Sequence, residues 1–465
     1  MKCDSHTDQR PSHEYELLPS DGTHPARAMR TLRVGSRRKR FLLVTAFLLA
    51  LSSIAFIALD IYAIRIPWYT RPSVRSVLTD LWPVGSTNTT DDWENENSKS
   101  MNAFFKCALE GNCGENQTSI VMLSSEHFEN GLRGRSSGED IWAMSLILAL
   151  KEMGYTTIIA PGNYEMARTY RQYPDLVKVI IVEGSKADAC FDDPTCIKGP
   201  DHPLGVPAWK MFAMHFWTGS AHPLGSIWTV SPEDFRLIAP HNSIDNFYLG
   251  YSIERTCMGI PVTPNHQRPM QAYIFAKTLS YFYRKDYSWP NVSWDPPFDV
   301  KLYVGMKNDT DFPSEIPKSI TNLGVLSKNE FYDELGKSRA FIGIGEPVLS
   351  PSPYDALCMG VPFINPVYRW DKEDPENRHK WGAQHEGLRY EDPPYVYHVR
   401  KGDEKGLWAA VRQALDNPIE RYIPATMTME ALKNRVGLLV EGDWRSKAEE
   451  LLDERIRTGG RVFEI

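Results

Sequence analysis

One continuous stretch, Phe341 to Pro366, constrains the possible folds of this chain more than any other. It starts in a short apolar run, Ala340 to Ile344, which is typical of a buried strand and ends in a proline-rich loop. Ser352 and Asp355 form a Ser-x-x-Asp capping pattern that predicts the start of a short helix, and Gly360 ends that helix. Because another apolar run follows, the stretch predicts a strand-loop-helix-strand unit of a parallel sheet.

This unit also predicts a place for a ligand. The free N–H groups of the helix would face the carboxyl edge of the sheet, where an anion such as a diphosphate can bind. Pro353 fits the first helical position. The alternative is that Ser352 and Asp355 only cap the helix. Gly343 and Gly345 form a Gly-x-Gly, but Pro347 interrupts the longer dinucleotide pattern, which disfavours a nicotinamide enzyme.

Length and charge set broad limits. The 465 residues suffice for two globular domains, and the net charge of −7 gives no reason to expect nucleic acid as a partner. Residues 1–40 are polar with a basic end, which predicts a cytosolic tail. The uncharged apolar run from Phe41 to Leu59 predicts a transmembrane signal anchor over 41–64, in preference to a cleaved signal peptide. Because the basic residues precede the anchor, the protein would be membrane-anchored with single-pass type II topology. Residues 65–118, which follow the anchor, are then predicted to be a luminal stem.

The cysteines fit the oxidising lumen that this topology implies. Four of them form two pairs of equal short spacing, Cys107/Cys113 and Cys190/Cys196. Cys257 and Cys358 are then either free and buried or bonded to each other, which spacing does not decide.

Two series of strands and helices predict two α/β domains. The first series has strands at 120–123, 156–160 and 177–182 and a helix at 139–153 after a glycine-rich loop. The second has strands at 272–276 and 300–304, a helix at 327–337, the stretch described above, and closing helices at 407–415 and 429–456, the latter interrupted near Gly442. We predict an N-terminal Rossmann-like domain over 119–255, carrying the catalytic base, and a C-terminal nucleotide-sugar-binding domain over 256–465.

The stretch 341–366, taken with 324–335, resembles the donor-binding half of glycosyltransferase family 18 in a Gly-x-Gly, a Pro-x-Pro and an acidic residue, in that order. The family has Glu where Asp355 stands here. Pro240 to Gly250 resembles the family's Pro-His-x-x-x-Asn-x-Phe-Leu-Gly passage. The resemblance spans roughly residues 120 to 440 and implies the GT-B architecture, two Rossmann-like domains facing one another across a cleft, here preceded by one N-terminal transmembrane helix.

The resemblance also implies catalytic residues. In the family the catalytic Glu stands in a Gly-Glu pair that opens a helix, and here the pair is Gly138-Glu139. Glu139 would be the general base. The alternatives are an acid that merely suits a helix N-terminus, or the adjacent Asp140 in the same role. Lys277 matches the lysine of a strand-end Tyr-Gly-Lys motif, here Phe-Ala-Lys, and would place a charge on the phosphates.

The implied donor side includes Gly345, Ser352 and Pro353 in addition to Asp355, which would accept hydrogen bonds from ribose hydroxyls. Gln384 and His385 match a Gln-His pair of the family that borders the donor, although a surface loop is the alternative interpretation.

The implied reaction is inverting transfer of N-acetylglucosamine from UDP-N-acetylglucosamine to the 6-hydroxyl of an alpha-mannose on N-glycans of glycoproteins, in the Golgi membrane and without a metal cofactor. Asp309 and Asp311 form an Asp-x-Asp, the divalent-cation signature of other transferases, but they lie in a polar loop with a glycosylation sequon. Two alternatives stay open: a GT-B transferase with another nucleotide sugar or acceptor, and an inactive glycan-binding relative.

Overall fold

The computed structural model describes residues 92–217, 219, 222–238, 245–307 and 315–465. All of them belong to one compact unit, Ser73–Ile465. The predicted cytosolic tail and transmembrane anchor lie outside these residues. Within the described ranges, no helix is both apolar enough and long enough to cross a membrane.

The first sheet contains six strands, all parallel, in the order β2-β1-β3-β4-β5-β6. Its strands are β1 (Ile120–Ser124), β2 (Thr156–Ile159), β3 (Val177–Glu183), β4 (Met211–Met214), β5 (Thr229–Ser231) and β6 (Phe247–Tyr248). Every residue of β1, β2 and β4 is buried, as expected for a parallel sheet covered by helices on both faces. The strands predicted at 120–123, 156–160 and 177–182 are confirmed.

Seven helices lie in the described residues of this part of the chain. They are α1 (Asp92–Glu110), α2 (Glu126–Leu132), α3 (Gly138–Glu152), α4 (Asn163–Gln172), α5 (Gly184–Asp192), α6 (Phe235–Ile238) and α7 (Glu254–Gly259). The helix predicted at 139–153 is confirmed as α3, which begins at a capping box formed by Ser137 and Asp140.

Helix α1 corrects the stem predicted over 65–118 for residues 92–110, and residues 65–91 of that stem lie outside the described residues. Met101 and Phe104 of this helix are buried, and the side-chain amide of Asn97 makes two 2.7 Å hydrogen bonds to the main chain of Ile159 in β2. The segment looks like a polar linker in the sequence because most of its residues are polar, and only some of its apolar residues are buried. Residues 92–110 are therefore part of the first domain.

The second sheet has the order β12-β11-β10-β7-β8-β9, and β13 also pairs with β11. Its strands are β7 (Gln271–Ile274), β8 (Lys301–Val304), β9 (Ile320–Asn322), β10 (Ala340–Ile342), β11 (Phe363–Arg369), β12 (Gly382–Ala383) and β13 (Val396–Arg400). Only the pairing of β12 with β11 is antiparallel among these described strands. From β7 the chain adds β8 and then β9 toward one edge of the sheet. It then returns to β10 on the other side of β7 and adds β11 and β12 toward the opposite edge, so the strand order reverses between β7 and β10. Such a reversal is where doubly wound sheets bind ligands.

In the described residues after β7, five α-helices follow: α8 (Lys328–Lys337), α9 (Ser352–Cys358), α10 (Glu404–Asp416), α11 (Met429–Val440) and α12 (Trp444–Thr458). The predicted strand-loop-helix-strand unit is confirmed as β10, α9 and β11. The predicted interruption of the last helix near Gly442 is also confirmed, because α11 ends at Val440 and α12 begins at Trp444.

The last two helices correct the predicted range of the C-terminal domain, because they pack on the first domain. The ring centroid of Trp444 lies 4.8 Å from that of Phe212 in β4, and Lys433 of α11 lies 3.2 Å from a carboxylate oxygen of Glu152 in α3. Residues 429–458 thus cross back and bury apolar area against the first sheet, which fixes the two domains to one another.

All six described cysteines are paired. The local pairs Cys107–Cys113 and Cys190–Cys196 form disulfides, and Cys257 is bonded to Cys358. The third bond joins α7 to α9 and decides the alternative that the spacing left open.

Candidate active site

A cavity of about 700 Å³ opens between the carboxyl edge of the second sheet and the start of α3. The second domain contributes residues that follow four neighbouring strands: 275–278, Gly305 and Lys307, 325–328, and 350–352. The first domain contributes residues 136–139 and Ile141. The cavity lies at the point where the strand order reverses, and its volume is within the roughly 300–1,000 Å³ that is usual for small-molecule sites.

The two domains adjoin at the rim of this cavity. A Cβ atom added to Gly138 would lie 3.5 Å from Cδ of Pro351, which is ordinary van der Waals contact. The first turn of α3 and the loop after β10 are therefore immediate neighbours. Ligand groups in the cavity can contact both domains.

Glu139 and Asp140 are adjacent in sequence but face different surroundings. Glu139 is half-buried and lines the cavity. Asp140 is 4% exposed; it accepts the N–H of Ser137 at 3.0 Å and lies 2.9 Å from Nδ1 of His127. Burial alone would raise the pKa of Asp140, but the hydrogen bonds with His127 and Ser137 lower it below its usual value. Of the two acids, Glu139 is thus the one placed to meet a ligand.

Three lysines line the cavity. Lys277 follows β7, Lys307 follows β8, and Lys328 is the first residue of α8; all three are exposed to solvent. The first two strand ends are held together, since the N–H of Lys307 donates to the carbonyl of Lys277 at 3.1 Å. Lys277 lies where the sequence predicts a phosphate contact. No sequence motif singled out Lys307 or Lys328, although Lys307 follows the strand predicted at 300–304 and Lys328 lies in the helix predicted at 327–337.

Asp355 lies in the cavity wall, but it does not cap its helix. The residue before α9 is Pro351, no side chain caps the helix, and Ser352 is its first residue, so the predicted capping pattern is wrong. Asp355 instead accepts a hydrogen bond from the Tyr332 hydroxyl. Burial raises the pKa of Asp355 to about 7, and Tyr332 and Lys328 partly oppose that rise.

We expect the replacement Asp355→Asn to stabilise the protein and weaken donor binding. The folded-state pKa is raised from 3.8 to about 7, so the free energy of unfolding falls as pH rises between these values. Asn carries no charge, so the variant should gain on the order of 2 kcal/mol at pH 8 and little at pH 4. Thermal unfolding at both pH values, with UDP titration in parallel, measures this. An equal change in stability at both pH values would contradict it.

The remaining residues predicted for the donor side divide into two groups. Ser352 lines the cavity, whereas Pro353 and Gly345 are buried beside it. Gly345 has a φ of 111°, and a Cβ there would lie 3.2 Å from the main-chain nitrogen of Ser288. This glycine therefore allows the loop after β10 to pass close to a neighbouring segment.

Gln384 and His385 are fully buried, so neither a surface loop nor a cavity-lining position describes them. Oε1 of Gln384 accepts the N–H of Gly345 at 2.9 Å. The side chain of Asn365 pairs with the main chain of His385 through two hydrogen bonds of 3.0 Å. Burial lowers the pKa of His385 to about 3, so its imidazole is neutral at physiological pH. Gln384 and His385 therefore stabilise the loop after β10 from its buried side, away from the cavity.

The part of the chain that the structure describes contains no group of three or more His, Cys, Asp or Glu residues arranged to hold a metal ion. The Asp-x-Asp of Asp309 and Asp311 lies outside the described residues.

Comparison with known proteins gives consistent results. Residues 207–449 match the family described as Glycosyltransferase family 18. Over 234 residues the chain is 24% identical to Homo sapiens alpha-1,6-mannosylglycoprotein 6-beta-N-acetylglucosaminyltransferase A, covering 48% of this chain and 30% of that protein. Over 242 residues it is 27% identical to the Caenorhabditis elegans alpha-1,6-mannosylglycoprotein 6-beta-N-acetylglucosaminyltransferase, covering 48% and 33%. The match thus spans about a third of the length of these curated relatives.

Among solved structures, Anabaena HepE in complex with UDP is 10% identical, with a TM-score of 0.36, covering 73% of this chain and 100% of that one. A similarity at this level carries no argument here. The two mainly parallel α/β sheets, with a cavity between their domains, agree with the GT-B architecture that the resemblance implies.

Proposed function

Because the chain belongs to glycosyltransferase family 18, we propose that it transfers N-acetylglucosamine from UDP-N-acetylglucosamine to the 6-hydroxyl of an alpha-mannose on N-glycans of glycoproteins. One observation carries the proposal: a carboxylate from one domain and three lysines from the other line the same cavity. Donor and acceptor identity are drawn from the names of the curated relatives.

In the proposed reaction Glu139 is the general base. Its carboxylate takes the proton of the acceptor hydroxyl, the hydroxyl oxygen forms a bond to the anomeric carbon, and the bond from that carbon to the diphosphate breaks. Attack from the face opposite the leaving group inverts the configuration to a beta linkage. The position of Glu139 on the domain opposite the lysines supports this division of roles.

The departing UDP carries negative charge that the second domain would stabilise. Helix α9 has only seven residues, so its dipole can contribute little, and its N-terminus is a weaker phosphate site than the sequence predicts. Lys277, Lys307 and Lys328 supply positive charge at three points of the cavity wall. Asp355 would accept hydrogen bonds from the ribose. With lysines in this role, the proposed reaction needs no metal ion.

We further propose that the protein acts in the Golgi membrane as a single-pass type II protein with a luminal catalytic part. The support is the apolar run over 41–64 with basic residues before it, together with three disulfides.

The test is calorimetric titration of the full-length chain with UDP and a panel of UDP-sugars in EDTA, followed by transfer assays on mannose-bearing N-glycans. We expect selective binding of UDP-N-acetylglucosamine and transfer to mannose. Selective binding of another nucleotide sugar would reassign the donor. No binding of any nucleotide would contradict the proposal and favour an inactive glycan-binding relative.

A further inference from the structure

One carboxyl group outside the cavity connects the two domains. Glu233 follows β5 of the first sheet and is 4% exposed. Its main-chain oxygen accepts a 2.9 Å hydrogen bond from the hydroxyl of Ser231, which fixes the turn after the strand. Its side chain reaches the second domain, where it accepts a hydrogen bond from the Tyr354 hydroxyl. Burying a carboxyl group costs free energy of folding unless the group is hydrogen-bonded, so a carboxyl group buried at this boundary indicates a specific role.

The contact between Glu233 and Tyr354 is closely enclosed. A Cβ atom added to Gly387 would lie 2.4 Å from Oε2 of Glu233 and 2.7 Å from the Tyr354 hydroxyl oxygen. Only glycine leaves room for the hydrogen bond at that point. The other carboxyl oxygen of Glu233, Oε1, has no hydrogen-bond partner among the described residues.

Tyr354 links this contact to the cavity. It is 1% exposed and lies in α9 between Ser352 and Asp355, both of which line the cavity. Its ring packs edge-on against His385, with centroids 4.7 Å apart. His385 follows Gln384, which holds the N–H of Gly345. A shift of Tyr354 would therefore displace both the helix and the loop that border the cavity.

The surroundings favour the neutral form of Glu233. Burial, followed by the charge of Glu386, raises its pKa to about 8. The titratable and charged groups that face it are Glu386, Asp234, Arg435, Tyr354, Tyr248 and Tyr251. The hydrogen bond from Tyr354 and, after it, the charge of Arg435, the one cation in this set, lower the pKa of Glu233 without cancelling the rise. The guanidinium of Arg435 also donates to the carbonyls of Leu249 and Thr426. A neutral carboxyl group can form the hydrogen bond without placing an unpaired charge at the boundary.

We propose that Glu233 is a positioning residue: its carboxyl group holds Tyr354 across the domain boundary and so keeps α9 and the loop after β10 in the arrangement that binds the nucleotide diphosphate. This inference rests on the proposed function, because it concerns the same cavity.

The experiment measures UDP affinity of the full-length chain by calorimetry for Glu233→Ala, Glu233→Gln and Tyr354→Phe. Loss of a buried hydrogen bond that fixes the site should weaken UDP binding about 10-fold in Glu233→Ala and about 5-fold in Tyr354→Phe. Glu233→Gln keeps the shape and a hydrogen-bonding oxygen, so its affinity should stay within about twofold of the unaltered protein.

Tyr155→Phe is the matched control. The Tyr155 hydroxyl donates to Oε1 of Glu441 at 2.9 Å, and Tyr155 is 6% exposed and lies outside the cavity lining. This variant loses a similar hydrogen bond, so it should lower thermal stability and leave UDP affinity unchanged. A weakening equal to that of Tyr354→Phe would show a general effect on folding and overturn the positioning role.

A pH profile separates the neutral acid from an ionised one. Above pH 8 the unaltered protein should lose UDP affinity several-fold relative to Glu233→Gln, because ionised Glu233 repels Glu386. A Glu233→Gln affinity as weak as that of Glu233→Ala would show that the charge is required and overturn the proposal. Unchanged UDP affinity in Glu233→Ala, Glu233→Gln and Tyr354→Phe would also overturn the proposal. Failure of the unaltered protein to bind UDP would instead refute the donor site itself, and this inference with it.

Discussion

The variant Glu139→Gln should retain UDP binding and lose transfer by a factor of about 10²–10⁴ in kcat. Glutamine has the shape of glutamate but cannot accept the proton of the acceptor hydroxyl, and general base catalysis contributes typically about 10²–10⁴-fold. Because the lysines that would bind the diphosphate belong to the other domain, UDP affinity should change by less than about threefold. Calorimetry and a radiolabelled transfer assay measure the two quantities on the same preparation.

The matched control for this variant is Glu165→Gln. Glu165 also lies in the first turn of a helix of the first domain, but it is exposed and does not line the cavity. We expect normal transfer from this control. If Glu139→Gln lost UDP binding and thermal stability together, Glu139 would have a structural role at the start of α3 instead of a catalytic one.

The variant Lys277→Ala should have the second largest effect, because we expect it to lower both the affinity for UDP and kcat. A charged hydrogen bond to phosphate is worth about 1.5–3 kcal/mol, so UDP affinity should fall by about 10- to 100-fold. Uridine has no phosphate, and its affinity should be unaffected. Because charge on the diphosphate grows as the bond to the sugar breaks, kcat should also fall, by about 10²-fold.

Lys301→Ala provides the comparison for Lys277. Lys301 is an exposed lysine at the start of β8, at the opposite end of the strand from the cavity. Its removal changes the net charge equally and should leave UDP affinity unchanged. Equal losses for UDP and uridine in Lys277→Ala would contradict a phosphate contact and place the residue nearer the base.

Local patterns in the sequence determined the elements that build the site. Apolar runs of strand length and glycine stops identified β1, α3, β10 and α11 because these signals depend on residues only a few positions apart. The resemblance to glycosyltransferase family 18, and not a local pattern, singled out Glu139 and Asp355 as site residues, and both of them line the cavity. Both cysteine pairs of short spacing are also local, and both form disulfides.

Contacts between distant parts of the chain were decided only by the tertiary structure. Asp140 turns to His127 and leaves the cavity to Glu139, because a helix directs adjacent side chains to different faces. Gln384 and His385 look like residues of a polar loop until the strands around them bury both. Lys307 and Lys328 join Lys277 because parallel strands bring their carboxyl ends to one edge.

The sequence ranges of the two domains, and the contacts between them, also depend on residues that are far apart in the chain. Helix α1 and the two last helices pack on the first domain, far away in sequence. The sequence predicted the last two as helices but not where they pack, and it predicted a stem in place of α1. The hydrogen bond from Tyr354 to Glu233 joins residues from two domains. Sequence periodicity describes which face of an element is buried, whereas the partner of that face depends on the packing of the whole chain.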